Sequence, residues 1–219
     1  GELMINYLLT LALFASATST QPTILSGFVK PIQNVSEDSI TYDELYDEAL
    51  FNCPYSKAGP KKQKIIETLI EVEKAHNLPE SLRGMLLAAA CHESGFNPNA
   101  KGDHQFSKTK NTPMAVGLFQ MWPWWERHYK VDRKSPKQSA EVYLQHVKSK
   151  INKVRSQCKH RTETRTWLSA WATAIRSPKE GGRCGERPKF YRVLKRWHKN
   201  IKNNREVDSS CDEQDTCGC

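Results

Sequence analysis

The sequence predicts a mainly α domain with an extension at each end. Apolar residues recur at helical spacing in several separate stretches, and no stretch shows the strict apolar–polar alternation of a half-buried strand. Charge is also split sharply along the chain. Residues 54–205 hold 32 Lys and Arg against 12 Asp and Glu, residues 1–53 hold 1 against 7, and residues 206–219 hold none against 5. A body of net charge +20 therefore lies between arms of −6 and −5. At 219 residues and 38% hydrophobic, the chain is long enough for one substantial core. The basic body suits an anionic polymer as partner, and charge alone does not choose among cell-wall polymers, anionic lipid surfaces and nucleic acid.

Taken in order, residues 1–20 resemble a targeting segment or an N-terminal arm. Tyr7 to Ala15 form a short apolar run, small residues follow through Ser19, and Ala15-Ser16-Ala17 offers a small-x-small cleavage pattern. The run is too short to span a bilayer, and no Lys or Arg precedes it. Residues 21–60 read as an acidic N-terminal extension, extended over 20–40. The main domain is expected over 61–205, and 206–219 form an acidic Cys-rich tail. Within the domain, Lys61–His76 carries Ile65, Ile66, Leu69, Ile70 and Val72 on one face and ends near Asn77-Leu78-Pro79. The next helix, with Ser81 as its expected cap, carries Leu82, Met85, Leu86 and Ala89. Its small residues Ala88 to Cys91 suit packing on several sides. Gly95 and Asn97-Pro98 end it. Pro136–Gln157 is a long helix with Tyr143, Leu144, Val147, Ile151 and Val154 on one face and lysines on the other. Thr164–Ile175, closed by Ser177-Pro178, and Pro188–Ile201 complete the set.

Seven cysteines without a Cys-x-x-Cys pair point to disulfides in an oxidising compartment rather than to a metal site. Spacing does not determine connectivity. The expectation is Cys158 with Cys184, Cys53 with one of the tail cysteines Cys211, Cys217 or Cys219, and Cys91 as a buried free thiol.

Glu93 is the residue most suggestive of chemistry. It ends the most apolar helix of the chain, in Cys91-His92-Glu93-Ser94-Gly95-Phe96-Asn97-Pro98, beside a loop. A carboxyl brought from a buried helix to such an edge is partly desolvated, which raises its pKa and suits it to general acid catalysis. By itself the same position fits an ordinary solvent-facing Glu. A second segment, Ala115-Val116-Gly117-Leu118-Phe119-Gln120 with Pro123 after it, follows the polar stretch Lys101–Pro113.

Together, Glu93-Ser94-Gly95-Phe96-Asn97-Pro98 and Gly117-Leu118-Phe119-Gln120 resemble the paired motifs of the lytic transglycosylase and goose-type lysozyme superfamily. The likeness extends more weakly from about Lys61 to about Asn203. It implies a lysozyme-like helical domain that cleaves the β-1,4 bond between N-acetylmuramic acid and N-acetylglucosamine in peptidoglycan. It further implies that Glu93 is the catalytic acid, as a hydrolase or as a transglycosylase forming a 1,6-anhydro product. Asp103 stands where goose-type lysozymes carry a second carboxylate, although a Gly-Asp pair is also common turn chemistry; Glu126 and Asp132 are lesser candidates. The resemblance gives Ser94 a role in holding the acid or the helix end. Gln120 would line the sugar cleft, with Gly117 allowing close approach of substrate. Tyr191 resembles the C-terminal Tyr near the family's acid, and it suits a core helix face equally well.

The chain also departs from the pattern. Trp171-Ala172-Thr173-Ala174 stands where the family has Tyr-Asn-Ala-Gly, Phe119 replaces a Met, and the 101–113 loop is longer and more basic. Trp122, Trp124 and Trp125 follow Gln120, and an indole such as Trp122 suits stacking on a sugar as well as core packing. These changes suggest an altered glycan, for example a de-N-acetylated one. The expected protein is a secreted or periplasmic monomer without metal or organic cofactor, with peptidoglycan strands as partner, no integral membrane segment and no nucleic acid. The competing reading is a non-catalytic cell-wall or carbohydrate-binding protein on the same fold.

Overall fold

The structure, a computed structural model, describes residues 39–106, 112–159, 162–175 and 184–212, with side chains in the last stretch to Val207. The signal-like run, the Ser177-Pro178 stop and the side chains of Cys211, Cys217 and Cys219 lie outside the described residues. The elements are α1 (Tyr42–Phe51), α2 (Pro60–Ala75), α3 (Met85–Ser94), β1 (Lys101–Gly102), β2 (Ala115–Val116), α4 (Pro123–Tyr129), α5 (Pro136–Cys158), α6 (Glu163–Ala174) and α7 (Tyr191–Asp212). The fold is mainly α, as expected. Among the described residues, strand is confined to the antiparallel β1–β2 pair, in which Lys101 faces Val116 and Gly102 faces Ala115.

The centre of the domain is α3. Every residue from Met85 to Cys91 is buried, and the helix packs against α1, α2 and α7. Small side chains from Ala88 to Ala90 let these neighbours approach on several sides, and large apolar residues of the neighbours fill the space. Among these, Leu45 of α1, Ile66 and Leu69 of α2, and Leu194 and Trp197 of α7 are wholly buried. The longest helix, α5, lies against α6 and α2.

The beginning of α3 differs from the sequence expectation. Ser81 lies in a 3-10 turn (Glu80–Leu82), and its hydroxyl bonds Thr164 Oγ1 at 2.7 Å. The N-cap is Gly84, at φ 86°, which has no side chain to cap with. The cap comes instead from α2: the carboxylate of Glu73 accepts the backbone N–H of Gly84 and, at 2.8 Å, that of Leu86. The Tyr42 hydroxyl of α1 donates to the same carboxylate at 3.4 Å. These bonds satisfy two of the orphan donors at a helix N-terminus, and the negative charge sits at the positive end of the helix dipole. Burial nevertheless pushes Glu73 up to about 7, against the pull of the two N–H donors.

Sequence reading found no helix in residues 42–51, yet α1 is well formed. Thr41 and Glu44 make a capping box, with Glu44 N–H donating to Thr41 Oγ1 at 3.3 Å and Thr41 N–H to Glu44 Oε2 at 2.8 Å. Its acidic residues meet the basic α7. Arg205 forks onto Glu44 with two bonds of 2.6 Å, and Asn200 donates to Glu48 at 3.1 Å. The short α4 was also missed; Pro123 at its first position is the sequence signal for it.

The disulfides correct one expectation and match another. Cys158 bonds Cys184, closing a loop around α6. Cys91 is not a free thiol: it bonds Cys53, which is therefore unavailable to the tail. A disulfide is itself apolar and suits a buried helix face, so burial of Cys91 was no argument for a reduced sulfur.

Candidate active site

The site forms where α3 ends against the β1–β2 hairpin. The Gly95 N–H reaches the Cys91 carbonyl at 3.0 Å, and the Phe96 N–H reaches that of Ala90 at 3.3 Å. Gly95 takes φ 59°, as such a helix closure requires. Ser94 donates its hydroxyl to the Ala90 carbonyl at 3.1 Å, so it seals the helix end rather than holding Glu93. A Cβ on Gly95 would also strike the Tyr55 carbonyl. The loop after α1 is thus drawn tightly onto the end of α3, where the Cys53–Cys91 bridge fastens it. The Tyr55 ring stands edge-on to His92, with centroids 6.2 Å apart.

Glu93 is partly buried at this edge. Desolvation raises its pKa above the ordinary carboxylate value, the negative charge of Asp103 raises it further, and the Lys189 ammonium pulls it down. Tyr143 of α5 lies near enough to feel Glu93, and its buried phenol is pushed up, first by burial and then by that charge. Its ring stacks on Phe119 at 4.6 Å and 12°. Sequence reading placed Tyr143 on the core face of α5 and gave it no part in the site. A hydroxyl among aliphatic positions was the available signal, since a buried phenol needs a polar destination.

Across from Glu93, the hairpin carries the other candidates. Asp103 adopts φ 56° and accepts the Trp122 indole N–H at 2.8 Å. Trp122 is 40% exposed and lies 5.8 Å from the Phe106 ring. Gln120, also at positive φ (47°), donates its amide to the Gly117 carbonyl at 3.0 Å. Its amide oxygen presses on Gly102, where any Cβ would collide with it. Gln120, Asp103 and Trp122 therefore share one rim, and Asp103 links that rim electrostatically to Glu93.

Other candidates have different places. Gly117, at φ 84°, has the Arg133 carbonyl where a Cβ would project, so its lack of a side chain serves backbone packing rather than approach of a substrate. Glu126 pairs with Arg133 at 3.0 Å, and Asp132 accepts the Lys134 N–H at 2.9 Å; both are committed to local structure. Tyr191 heads α7, partly buried, with the Arg187 guanidinium 5.7 Å over its ring. Of the three tryptophans after Gln120, Trp125 is buried and Trp124 stacks on His128 at 4.7 Å, which leaves Trp122 the most open. Trp171 is fully buried, in edge contact with the rings of Tyr143 and Phe190. Among the described residues, no three His, Cys, Asp or Glu side chains cluster as a metal site would need, and no helix is long and apolar enough to cross a membrane.

Comparison with curated proteins and comparison with solved structures each find no match. The family model of the transglycosylase SLT domain matches residues 70–172, a span that begins within α2 and includes Glu93, the hairpin and most of α6. The mainly helical architecture agrees with that match. Residues 70–172 therefore match the transglycosylase SLT domain, which is consistent with the lytic transglycosylase and lysozyme-like superfamily.

Proposed function

We propose that the protein cleaves the β-1,4 bond between N-acetylmuramic acid and N-acetylglucosamine in peptidoglycan, with Glu93 as the catalytic acid. The observation that carries this reading is the environment of Glu93. It is a carboxyl of raised proton affinity at the end of the central helix, facing a polar and aromatic rim, within the SLT match. A carboxyl whose proton affinity is raised is suited to donate its proton to the glycosidic oxygen as the bond to the muramoyl C1 breaks. The resulting carboxylate then takes a proton from the attacking oxygen. If that oxygen is the muramoyl C6 hydroxyl, the product is a 1,6-anhydro sugar; if it is water, the product is a reducing end.

Asp103 has two roles in this proposal. Its charge favours the protonated form of Glu93 before reaction, and it stabilises positive character at C1 as the bond breaks. Its bond to Trp122 orients both side chains, and the open Trp122 face offers a sugar platform. Gln120 keeps one amide hydrogen beyond its bond to Gly117 and can use it on a ring substituent. With Trp171 buried where the family has Tyr, recognition of the N-acetyl group differs from the family pattern, which is consistent with a modified glycan. Two disulfides among the described residues support a place of action outside the reducing cytoplasm, secreted or periplasmic.

The test is to digest purified sacculi and weigh the released muropeptides. Fragments one water lighter than the hydrolysed form identify a transglycosylase, and fragments at the hydrolysed mass identify a lysozyme. Release of neither from native or de-N-acetylated sacculi rejects the proposal.

A further inference from the structure

One buried imidazole has no part in the cleavage chemistry. His146 of α5 is 7% exposed and is enclosed by the aromatic side chains of α4. The rings of Trp125, Trp124 and Tyr129 lie 4.7, 5.4 and 5.8 Å from it, each at a steep angle. The Tyr129 hydroxyl and His146 Nδ1 share a hydrogen bond of 2.6 Å. With seven residues, α4 is too short to persist as a helix by itself, so its place depends on side-chain contacts of this kind. Its ion pair, Glu126 with Arg133 at 3.0 Å, is a further tie.

Helix α4 in turn carries the rim of the site. Its N-cap is Trp122, the residue whose indole donates to Asp103 at 2.8 Å. Trp125 packs on His146 and also lies 5.9 Å from the ring of Tyr143, which stacks on Phe119. The box around His146 is thus continuous with the wall behind Glu93.

That box suits a neutral ring. A charge placed among apolar groups is costly unless a partner compensates it. The charges that act on His146 come from Lys150 on its own helix and from His128 on α4, and both oppose protonation. Among the described residues none comes from α2 or α6, the other helices packed on α5. Glu141 of α5 is engaged by His76 at 2.9 Å, and Glu126 of α4 by Arg133. Burial pushes the facing Tyr129 phenol up, so it stays neutral in acid. Burial and then the two cations push His146 down from 6.5 to about 4. Detachment of α4 gives the ring water and returns it to its ordinary value. The stabilisation of docked α4 by the neutral ring is therefore full above 6.5 and is lost as pH falls through about 4. Between pH 7.5 and pH 5 these two values raise the equilibrium toward detachment about thirtyfold.

We propose that His146 is a positioning residue for the rim: as a neutral imidazole it holds α4, and Trp122 with it, against the site, and when protonated in acid it lets them go. This clasp rests on the reading of Trp122 as a sugar platform and adds a regulation to it, reversible loss of glycan in acidic surroundings.

Hydrogen exchange on the whole protein is the primary measurement, because amide protection reads the opening equilibrium directly. Protection of the α4 amides is compared at pH 7.5 and pH 5, with α3 as the internal reference. In the wild type it should fall about thirtyfold, and α3 should not share the fall. In His146→Phe and His146→Gln, which do not titrate, protection of α4 should be the same at both pH values; Gln keeps a polar partner for Tyr129 if the Phe variant fails to fold. In a Glu93→Gln background, which removes turnover and the titration of the acid, affinity for a neutral N-acetylglucosamine tetramer should weaken at pH 5, and adding His146→Gln should abolish that weakening. Wild-type α4 protection that does not change with pH, a fall shared by α3, a fall kept by both variants, or an affinity indifferent to His146 overturns the proposal. The exchange measurement needs no substrate. Sacculi left intact would therefore reject the glycosidase reading and leave the clasp standing, whereas cleavage with a pH-independent α4 would do the reverse.

Discussion

Glu73→Ala is expected to be the most damaging single change away from the cleavage site, because it removes the cap of the helix that ends in Glu93. The Gly84 and Leu86 N–H groups both donate to the Glu73 carboxylate, and the side chain is fully buried. Each buried donor left without an acceptor costs roughly 1–3 kcal/mol, and part of the vacated volume stays empty. The total is about 3–5 kcal/mol against a stability of order 5–15 kcal/mol for a domain of this kind. Glu73→Gln should cost roughly half as much, since the amide oxygen still accepts one N–H while its nitrogen faces the other.

A pH signature accompanies this loss. The folded pKa of Glu73 is raised from the ordinary 4.5 to about 7, so the folded state holds the proton more tightly than the unfolded state. The resulting stabilisation is fully present below 4.5 and disappears as pH rises through about 7. At about 1.4 kcal/mol for each pH unit of displacement, it amounts to roughly 3 kcal/mol. Other groups titrate in the same window, so the measurement is a difference. Urea denaturation of wild type and Glu73→Gln from pH 4 to 8 should show wild type losing its advantage as pH rises. A Glu73→Ala protein within about 1 kcal/mol of wild type, or a wild-type-minus-Gln difference that is flat in pH, would refute the capping argument.

Three further outcomes are expected. Asp103→Asn removes the charge that helps hold the proton on Glu93 while keeping an oxygen for the Trp122 N–H; the basic limb of the pH–rate profile should move to lower pH, and an unmoved limb would separate Asp103 from the acid. Cys53→Ser/Cys91→Ser opens a bridge between residues 38 apart; chain entropy puts the loss at about 4 kcal/mol, read as a lower urea midpoint, and an unchanged midpoint would contradict it. Gly117→Ala drives a Cβ into the Arg133 carbonyl at a backbone φ of 84°; it should cost more than about 2 kcal/mol, whereas a neutral result in thermal melts would mean the 133–134 segment yields easily.

The parts of the fold that could be read in the sequence are those written in local periodicity. Ile65, Ile66 and Leu69 announce α2, and Tyr143, Leu144 and Val147 announce α5, because a 3.6-residue repeat needs no knowledge of the partner surface. The start of α3 was misread for the opposite reason. Its cap is supplied by Glu73, in another helix, so the nearby Ser81 attracted a role that tertiary contact gives elsewhere. The helix α1 does carry a local signature, Thr41-x-x-Glu44, within the stretch assigned to the acidic extension. In the candidate site, the motif positions Glu93 and Gln120 were legible as residues, and the Asp103–Trp122 bond was not. That bond depends on a positive-φ turn and on an indole reaching back 19 positions along the chain. The Cys53–Cys91 bridge was equally hidden, because spacing alone gives no distance between sulfurs.

Cleavage as proposed depends on Glu93 as the proton donor, and Glu93→Gln tests this most directly. The amide keeps the size of the side chain, lacks the proton, and leaves the Ser94 and Gly95 helix closure untouched. Wild type and variant are compared for binding to sacculi and for muropeptides released from them. The expected result is binding retained and release reduced by at least about a thousandfold, in line with loss of general acid–base catalysis and some charge stabilisation. Undiminished release by Glu93→Gln would contradict the account.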